Sequence, residues 1–378
     1  MPRPLFSTKT KLVLAELDRT FPLDRAALEE MAAKKVIVPL GKRFKTTAPN
    51  ITIAERFRRL FRNRRLYAIP FKDIRGSSGG LAGLTLHNRS LFTVAAGQRQ
   101  FVFKGTGSQG EHSYRGALGD YAEHRFYGGA RVQTIRWAVD TLQELEHAYK
   151  AANRDEVVRW AAKEHGITEL PVIKHVAVFR PLQILTGKQG TKLRRLPITK
   201  QSMKALGLGE FYGDQRVQVY SAVQPKRIEN FETTSDFLAD AKNIAKKTGE
   251  DIRRVVLKRF LARSLLFLHI AHSRRIVLSS PSGSIIGYTN TGPFEFFDFD
   301  VAEKIRDRKE FSKRAETDYE KLAILASGLA LGLKGPPFSF KNISRIEAAS
   351  LKFDTPPNGK ELNERLERIA DHFFPKND

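Results

Sequence analysis

The sequence predicts an α+β protein with two lobes, a strand-rich lobe followed by a helical one. Most strand-like segments lie before residue 224, whereas three helical segments follow in succession after residue 234. An apolar hairpin-like stretch, SIIGYTNTGPFEFFDFD (Ser284–Asp300), stands between two of those helices. A chain of 378 residues with 41% hydrophobic content can bury the cores that two lobes need.

Periodicity and turn residues define the individual elements. Residues 1–50 are expected to form helical pieces and one strand. The predicted strands are 35–40, 81–86, 90–95, 100–104, 172–179 and 216–223. The predicted helices are 24–34, 118–127, 134–165, 235–247, 251–271, 316–333 and 360–373. The chain accordingly divides into a basic helical N-terminal extension (1–75), a strand-rich lobe (76–230) and a helical lobe that contains the hairpin (231–378).

The formal net charge of +24 comes from 65 Lys and Arg against 41 Asp and Glu. Such a charge favours polyanionic partners, namely nucleic acid, nucleotide phosphates, acidic proteins or an anionic membrane surface, although an inert basic surface also fits. The absence of cysteine excludes disulfides, thiolate metal sites and a cysteine nucleophile. No apolar run is long enough to span a membrane and the N-terminus does not resemble a secretory signal, so the cytoplasm is the expected location.

The stretch PNITIAERFRRLFRNRR predicts an amphipathic helix that begins at Thr52, with Glu55 completing a capping box. Phe57, Leu60 and Phe61 form its apolar stripe. Arginine dominates its remaining faces, at Arg56, Arg58, Arg59, Arg62, Arg64 and Arg65. A helix that contacts a phosphate backbone through Arg56, Arg58, Arg59, Arg62 and Arg65 is one interpretation, and a packed helix with a solvated basic face is the other.

Lys104 ends the apolar run Phe101–Phe103 and precedes Gly105 and Gly107. An ammonium group in that setting needs an anion, which a nucleotide phosphate or the carboxylate of Glu123 would supply. The alternative is an edge-strand lysine whose ammonium reaches water, with Glu123 as an ordinary surface acid.

Two segments resemble the selenoprotein O-type protein adenylyltransferases, which have a protein-kinase-like fold. AGQRQFVFKGTGS is similar to the strand that carries their phosphate-binding lysine, and SIIGYTNTGPFEFFDFD is similar to their metal-site segment. The resemblance covers about 83–135 and 255–303, and more loosely 172–188. It implies a bilobal kinase-like fold with a strand-rich N-lobe and a helical C-lobe, preceded here by extra N-terminal helices, and binding of ATP with Mg²⁺ or Mn²⁺.

The resemblance also implies roles for individual residues. Lys104 matches the phosphate-binding lysine, with Glu123 as its helix partner and Gly105 and Gly107 in the nucleotide loop. Arg180 and Lys188 fall where the family holds the nucleotide phosphates with arginines. Asn290 falls on a metal-binding aspartate, and Asp298 and Asp300 are candidate replacement ligands for the metal, unless they cap a helix that begins near Val301.

The chain departs from the family at its catalytic loop. Pro281 stands at the aspartate position and Ser282 at the metal-binding asparagine. Three hypotheses therefore remain open: a degenerate enzyme that binds nucleotide or a protein partner, an active adenylyl- or phosphotransferase with a rearranged metal site, and a nucleic-acid-binding protein on a kinase-like scaffold. His269 and His272, three residues apart on a predicted helix, are interpreted as core and helix-end histidines rather than a metal pair.

Overall fold

The computed structural model describes residues 11–34, 36–40, 66–73, 91–96, 99–104, 107–108, 130–186, 194–197, 215–222, 226–227, 243, 245–278, 286–288, 294–296, 299, 302–334 and 358–376. The chain contains two compact units of mixed strand and helix. Unit 1 comprises Met1–Val139 and Lys174–Ala222, and unit 2 comprises Asp140–Ile173 and Val223–Asp378. Within the described residues, no helix is both long and apolar enough to cross a membrane.

The strands of unit 1 form one sheet. They are β1 (Lys11–Leu17), β2 (Val38–Leu40), β3 (Leu66–Asp73), β4 (Leu91–Ala96), β5 (Arg99–Lys104), β6 (Gly107–Ser108), β7 (Ala130–Arg131), β8 (Lys174–Thr186), β9 (Arg194–Pro197) and β10 (Gln215–Ala222). Their main order is β2-β3-β1-β8-β10-β5-β4, with antiparallel neighbours. Three short strands complete it, since β6 pairs with β3, β7 with β10 and β9 with β8.

Both faces of this sheet carry buried apolar side chains. On one face, Leu28 and Met31 of α1 (Arg25–Ala33) belong to a cluster with Phe101, Phe103 and Phe179. Adjacent residues of a strand point to opposite faces. Val178 accordingly belongs to a second cluster, with Phe21 and with Ile135 and Val139 of α2 (Val132–Ala151). β8 is therefore covered on both sides, which explains its continuous apolar run Val176–Phe179.

A buried ion pair lies at one end of β1. Arg216 Nε donates to Asp18 Oδ2 at 2.6 Å, and the two side chains are only 12% and 9% exposed. Burial alone would raise the pKa of Asp18, but hydrogen bonds from Arg216 and Thr20 outweigh it and lower that pKa. Arg216 is thereby committed to a structural partner within unit 1.

Unit 2 is organised around helix α4 (Ile252–Ser273). Around it lie the helices α3 (Glu156–His165), α5 (Arg308–Lys334) and α6 (Gly359–Phe373) and the strands β12 (Ile276–Leu278) and β14 (Phe294–Phe296). The remaining strands are β11 (Lys226–Arg227), β13 (Ile286–Tyr288) and β15 (Ala302–Lys304). β11, β13 and β14 form one small antiparallel sheet, and β12 and β15 form another.

The hairpin strand β14 is fixed on both sides of its backbone. Phe296 exchanges hydrogen bonds with the segment before β8, donating to Pro171 O at 2.8 Å and accepting from Ile173 N at 3.0 Å. The Phe296 ring stacks on Phe267 of α4 with their centroids 3.8 Å apart. At the other end of α4, buried Arg254 binds Glu367 and Asp371 of α6 and donates to Phe374 O. These contacts anchor the hairpin and the C-terminal helix to one buried helix.

Most predicted elements that fall in the described residues are confirmed. They include β4, β5, β8, β10, α1, α4, α6 and the pairing of β13 with β14. The predicted helix 134–165 is two helices instead, because Asp155 caps a new one by accepting from Val157 N at 2.8 Å and Val158 N at 3.2 Å. The predicted segments 81–86 and 118–127 lie outside the described residues, and the three-part domain division stays a prediction.

The expectation of helical pieces throughout residues 1–50 is wrong at Lys11–Leu17, which forms strand β1, and β3 was not expected at all. β1 forms by pairing with β3 and with the distant β8, and local sequence does not encode such long-range pairing. β3 is hard to predict because it contains Pro70, and proline is rare inside paired strands. The residues of β3 that pair with β2 end at Ala68, so Pro70 lies beyond this pairing.

We expect the stability of unit 1 to depend on pH through His175. Burial lowers the pKa of His175 to about 4, although a hydrogen bond from its Nε2 to Pro22 O (3.2 Å) opposes the shift. The unfolded chain then binds a proton that the folded chain does not, so stability falls as the pH decreases from about 6.5 toward 4. Urea unfolding should show a loss of about 2 kcal/mol over that range that His175→Gln removes.

Replacement of the exposed His147 by Gln is the matched control. The His147→Gln protein should keep the pH dependence of the wild type. Equal pH dependence in wild type and His175→Gln would contradict the assignment of this effect to His175.

Candidate functional site

Lys104 is the last residue of β5, as the sequence predicts. β5 is not an edge strand, since Lys104 pairs with Gln218 of β10 on one side and with Leu91 of β4 on the other. The alternative of an edge-strand lysine is therefore wrong. The local sequence does not reveal whether β5 is an edge strand, because this depends on pairing with β10, more than 100 residues away.

The sheet register brings Lys104 near a second candidate, Arg180. Gln218 of β10 pairs with Lys104 on one side and with Val178 of β8 on the other, and Arg180 follows two positions along β8. Paired residues and residues two apart share a face of the sheet, so positions 104 and 180 belong to the same face. Two strand spacings and a two-residue offset put their Cα atoms about 12 Å apart.

Arg180 is exposed and makes no hydrogen bond or ion pair within the described residues. Its cross-strand neighbour is Glu16 of β1. The nearby Arg216 is held by Asp18, as described above. Within the described residues, the guanidinium of Arg180 is therefore available to an external anion.

Gln218 lies between these two positions and was not predicted as a site residue. Its side chain is 1% exposed, yet its buried Nε2 has no hydrogen-bond partner within the described residues. A buried donor without an acceptor costs about 1–3 kcal/mol. Such a group is a candidate donor to a bound ligand. Its signal in the sequence, a glutamine inside the apolar run VQVY, is visible but weak.

The structure describes one further predicted site residue, Gly107. Gly107 forms β6 and pairs in parallel with Lys72 of β3. The remaining ones lie outside the described residues: Gly105, Glu123, Lys188, Asn290, Asp298, Asp300, Arg56, Arg58, Arg59, Arg62 and Arg65. Their roles stay predictions.

The alternative role for the two hairpin aspartates, as caps of a helix near Val301, is wrong. Residues Ala302–Lys304 form strand β15, and the next helix begins at Arg308. Asp307 accepts a hydrogen bond from Glu310 N at 2.8 Å at the start of that helix. The local sequence predicts a helix here, but pairing of β15 with β12, some 26 residues earlier, makes this segment a strand.

A buried carboxylate fixes the backbone at the start of the candidate catalytic loop. Asp318 of α5 is 3% exposed and accepts from Leu278 N at 3.1 Å and from His272 Nε2 at 3.0 Å. Burial raises the pKa of Asp318, although the bonds from His272 and Leu278 oppose this. Leu278 is the residue directly before segment 279–285, which holds Pro281 and Ser282. The loop therefore leaves β12 from a fixed position.

The two histidines of α4 each bind one carboxylate. His269 Nε2 lies 2.9 Å from Asp155 Oδ2, and His272 binds Asp318. The sequence offered no acid at ligand spacing, because both aspartates come from distant helices. In the part of the chain that the structure describes, no group of three or more potential metal ligands occurs.

No known family profile matches the chain, and no curated protein matches it either. Among solved structures the chain is similar to ROP2 from Toxoplasma gondii, described as a virulence factor with a protein-kinase fold and no enzymatic activity. That similarity has a TM-score of 0.32 and 10% sequence identity, and it covers 77% of this chain and 84% of the other. A likeness this weak does not assign the fold, so the kinase-like fold is a proposal.

Asp318 should be among the most sensitive polar positions of unit 2. Replacing Asp318 with Ala leaves the buried Leu278 N–H without its acceptor and His272 without its partner, which should cost about 2–4 kcal/mol in urea unfolding. Asp318→Asn keeps an acceptor for Leu278 and should cost clearly less. The exposed Asp140→Ala is the control and should change stability by less than about 0.5 kcal/mol. Equal effects of all three substitutions would refute the anchoring role.

Proposed function

We propose that this protein is a kinase-like nucleotide-binding protein of the protein adenylyltransferase type, with a degenerate catalytic set. The observation that carries the proposal is the placement of Lys104 and Arg180 on one sheet face, on opposite sides of Gln218. Two cations and a buried amide donor in one row suit a polyphosphate, which carries several charges along a short chain.

The spacing supports this assignment. Lysine and arginine side chains each extend several ångströms, so two positions about 12 Å apart can hold neighbouring phosphates of one nucleotide. Arg180 forms no ion pair within the described residues, although Glu16 is its cross-strand neighbour. Gln218 would gain the acceptor that its buried Nε2 lacks. The nucleotide would therefore satisfy groups that the protein alone leaves unmatched.

The order of elements in unit 2 supports the same proposal. The long buried helix α4 leads through β12 into segment 279–285, and the β13–β14 hairpin follows before helix α5. This is the order that the resemblance to the adenylyltransferases implies. Pro281 and Ser282 replace the acid and the metal ligand of that family, so loss of turnover is expected from the same alignment.

The alternative is an active transferase that uses Asp298 or Asp300 to hold Mg²⁺ or Mn²⁺. The metal would neutralise charge on the transferring phosphate, and Lys104 and Arg180 would orient the nucleotide. Pro281 cannot accept the proton of an attacking hydroxyl. Positioning supplies much of the rate in such reactions, so loss of that acid alone does not abolish transfer.

A second candidate function is nucleic-acid binding, which the net charge of +24 favours. The predicted arginine helix of residues 52–65 is one surface for it. Nucleotide binding and nucleic-acid binding do not compete, since the residues proposed for them are different.

Binding of ATP should raise the melting temperature of the protein, because a ligand that binds only the folded state stabilises it. Lys104→Ala and Arg180→Gln should each reduce that shift at millimolar ATP with Mg²⁺ or Mn²⁺. Gln218→Met should also reduce the shift while leaving the nucleotide-free protein equally stable or more so, since it removes an unsatisfied buried donor.

Lys150→Ala removes one positive charge from an exposed helical position and serves as the control. It should retain the full shift. No shift in the wild type, measured by both thermal denaturation and calorimetry, would eliminate nucleotide binding. A shift that all three site variants retain in full would show that nucleotide binds elsewhere.

Turnover should be absent or very slow unless an aspartate of the hairpin holds the metal. Incubation with α-labelled and γ-labelled ATP separates adenylyl from phosphoryl transfer to protein. The expected result is no transfer of either label. Transfer that Asp298→Ala or Asp300→Ala abolishes would instead establish the active alternative with that residue as ligand, and transfer that survives both substitutions would refute the proposed metal site.

A further inference from the structure

A group of basic side chains lies where two turns of unit 2 meet. One turn joins α4 to β12 and the other joins β15 to α5. Ile305 N donates to Arg275 O at 2.9 Å, and Arg275 Nη1 donates to Arg306 O at 2.8 Å. These bonds hold the two turns side by side. We call their five exposed basic residues the turn patch: Arg274, Arg275, Arg306, Arg308 and Lys309.

The turn patch has no carboxylate partner within the described residues. The acids around it are engaged elsewhere. Asp307 caps α5 through Glu310 N, and Glu310 and Glu303 each lie 3.9 Å from Arg314. Within the described residues, none of the five cations forms a close ion pair, and they outnumber the three neighbouring acids Glu303, Asp307 and Glu310.

Two features of the turn patch oppose stability. Arg275 has φ 54°, the left-handed conformation after a helix end, where glycine is favoured and other residues pay about 1 kcal/mol. Arg308 and Lys309 occupy the first turn of α5, next to the positive end of the helix dipole, where a cation is unfavourable by about 0.3–1 kcal/mol. Arg275 also has a structural contact, its Nη1 bond to Arg306 O, whereas Arg308 and Lys309 have no described contact that would offset the cost of their position.

We propose that the turn patch binds the phosphate backbone of nucleic acid without reading base sequence. Five cations on two adjoining turns suit a partner with closely spaced negative charges, so that several contacts form together. A membrane fits less well, because the patch contains no large apolar side chain to insert among lipids. The expected contacts are to phosphate oxygens, which fix the position of a protein on nucleic acid but carry no sequence information.

This inference is separate from the proposed nucleotide site and from the arginine helix. The turn patch lies entirely in unit 2, whereas Lys104, Arg180 and residues 52–65 belong to unit 1. If the protein does not bind nucleotide, the turn-patch proposal still stands. If the turn patch does not bind nucleic acid, the proposed nucleotide site still stands.

The test compares two full-length variants with equal changes in net charge. The patch variant carries Arg275→Gly, Arg306→Gln, Arg308→Gln and Lys309→Gln. The control variant neutralises four exposed residues elsewhere in unit 2, with Lys150→Gln, Arg154→Gln, Arg159→Gln and Arg368→Gln. The probes are a fluorescein-labelled 20-nucleotide oligothymidylate and a 20-base-pair duplex, followed by fluorescence anisotropy as salt is varied.

The wild type should bind both probes with an affinity that falls steeply with salt. In the patch variant, the slope of log affinity against log salt should flatten by about three units, because four phosphate contacts release about 0.7–0.9 counterions each. Affinity at low salt should fall at least about tenfold. The control variant should keep the slope within about one unit of the wild type.

Arg275→Gly alone separates binding from folding. Glycine relieves the left-handed backbone, so the melting temperature should stay equal or rise although the Nη1 bond to Arg306 O is lost. Affinity should nevertheless fall several-fold. The double variant Arg308→Gln/Lys309→Gln provides the same comparison without touching the turn of Arg275.

Three results would overturn the proposal. The first is failure of the wild type to bind either probe at low salt. The second is an equal loss of binding in the patch and control variants, which would show a response to net charge alone. The third is unchanged oligonucleotide binding in the patch variant together with lost binding to phosphatidylserine vesicles, which would assign the surface to a membrane.

Discussion

Burial of helix α4 is the constraint on which the rest of unit 2 depends. The helix is apolar around most of its circumference, so it must be covered on nearly every side. α3, α5, α6 and strands β12 and β14 provide that cover. The candidate catalytic segment is thus attached to the end of the most buried element of the unit. Large-to-small changes along α4, such as at Phe260 or Phe267, would disturb all these elements together.

Two kinds of polar side chain bear on the proposed roles, those with a structural partner and those without a described partner. Asp318 accepts hydrogen bonds from a backbone amide and a histidine, so it organises structure. Asp18 does the same for Arg216 in unit 1. Gln218 and Arg180 lack such partners within the described residues. Since proteins rarely leave buried donors unpaired, Gln218 is a candidate for a ligand contact, and the exposed Arg180 lies on the same sheet face.

The basic residues that the structure describes have different roles, since some form structural ion pairs and others do not. Arg254 and Lys258 hold α6 against α4 through Glu367, and Lys304 binds Glu144. The turn patch instead combines cations that form no close ion pair within the described residues with a left-handed arginine and an unfavourable helix end. Charge kept at a cost to stability is a stronger indication of a partner than net charge alone, which any basic surface would provide.

The sequence by itself determined the elements whose signals are local. Strand β5 ending at Lys104, helix α6 after its prolines, and the β13–β14 hairpin follow from hydrophobic period and turn residues. Net charge and the absence of cysteine also limited the possible chemistry. The roles proposed for Lys104 and Arg180 as nucleotide-binding residues come from the resemblance to the adenylyltransferases and stay predictions.

Only the tertiary structure decided which residues meet. The sequence did not predict β1 or β3, because β1 depends on pairing with distant strands and Pro70 is unusual inside a paired strand such as β3. Gln218 lies between Lys104 and Val178, Asp318 reaches Leu278 across 40 residues, and the turn patch joins residues about 30 positions apart. Each of these depends on long-range pairing and burial, which follow from the whole fold and not from the spacing of residues along the chain.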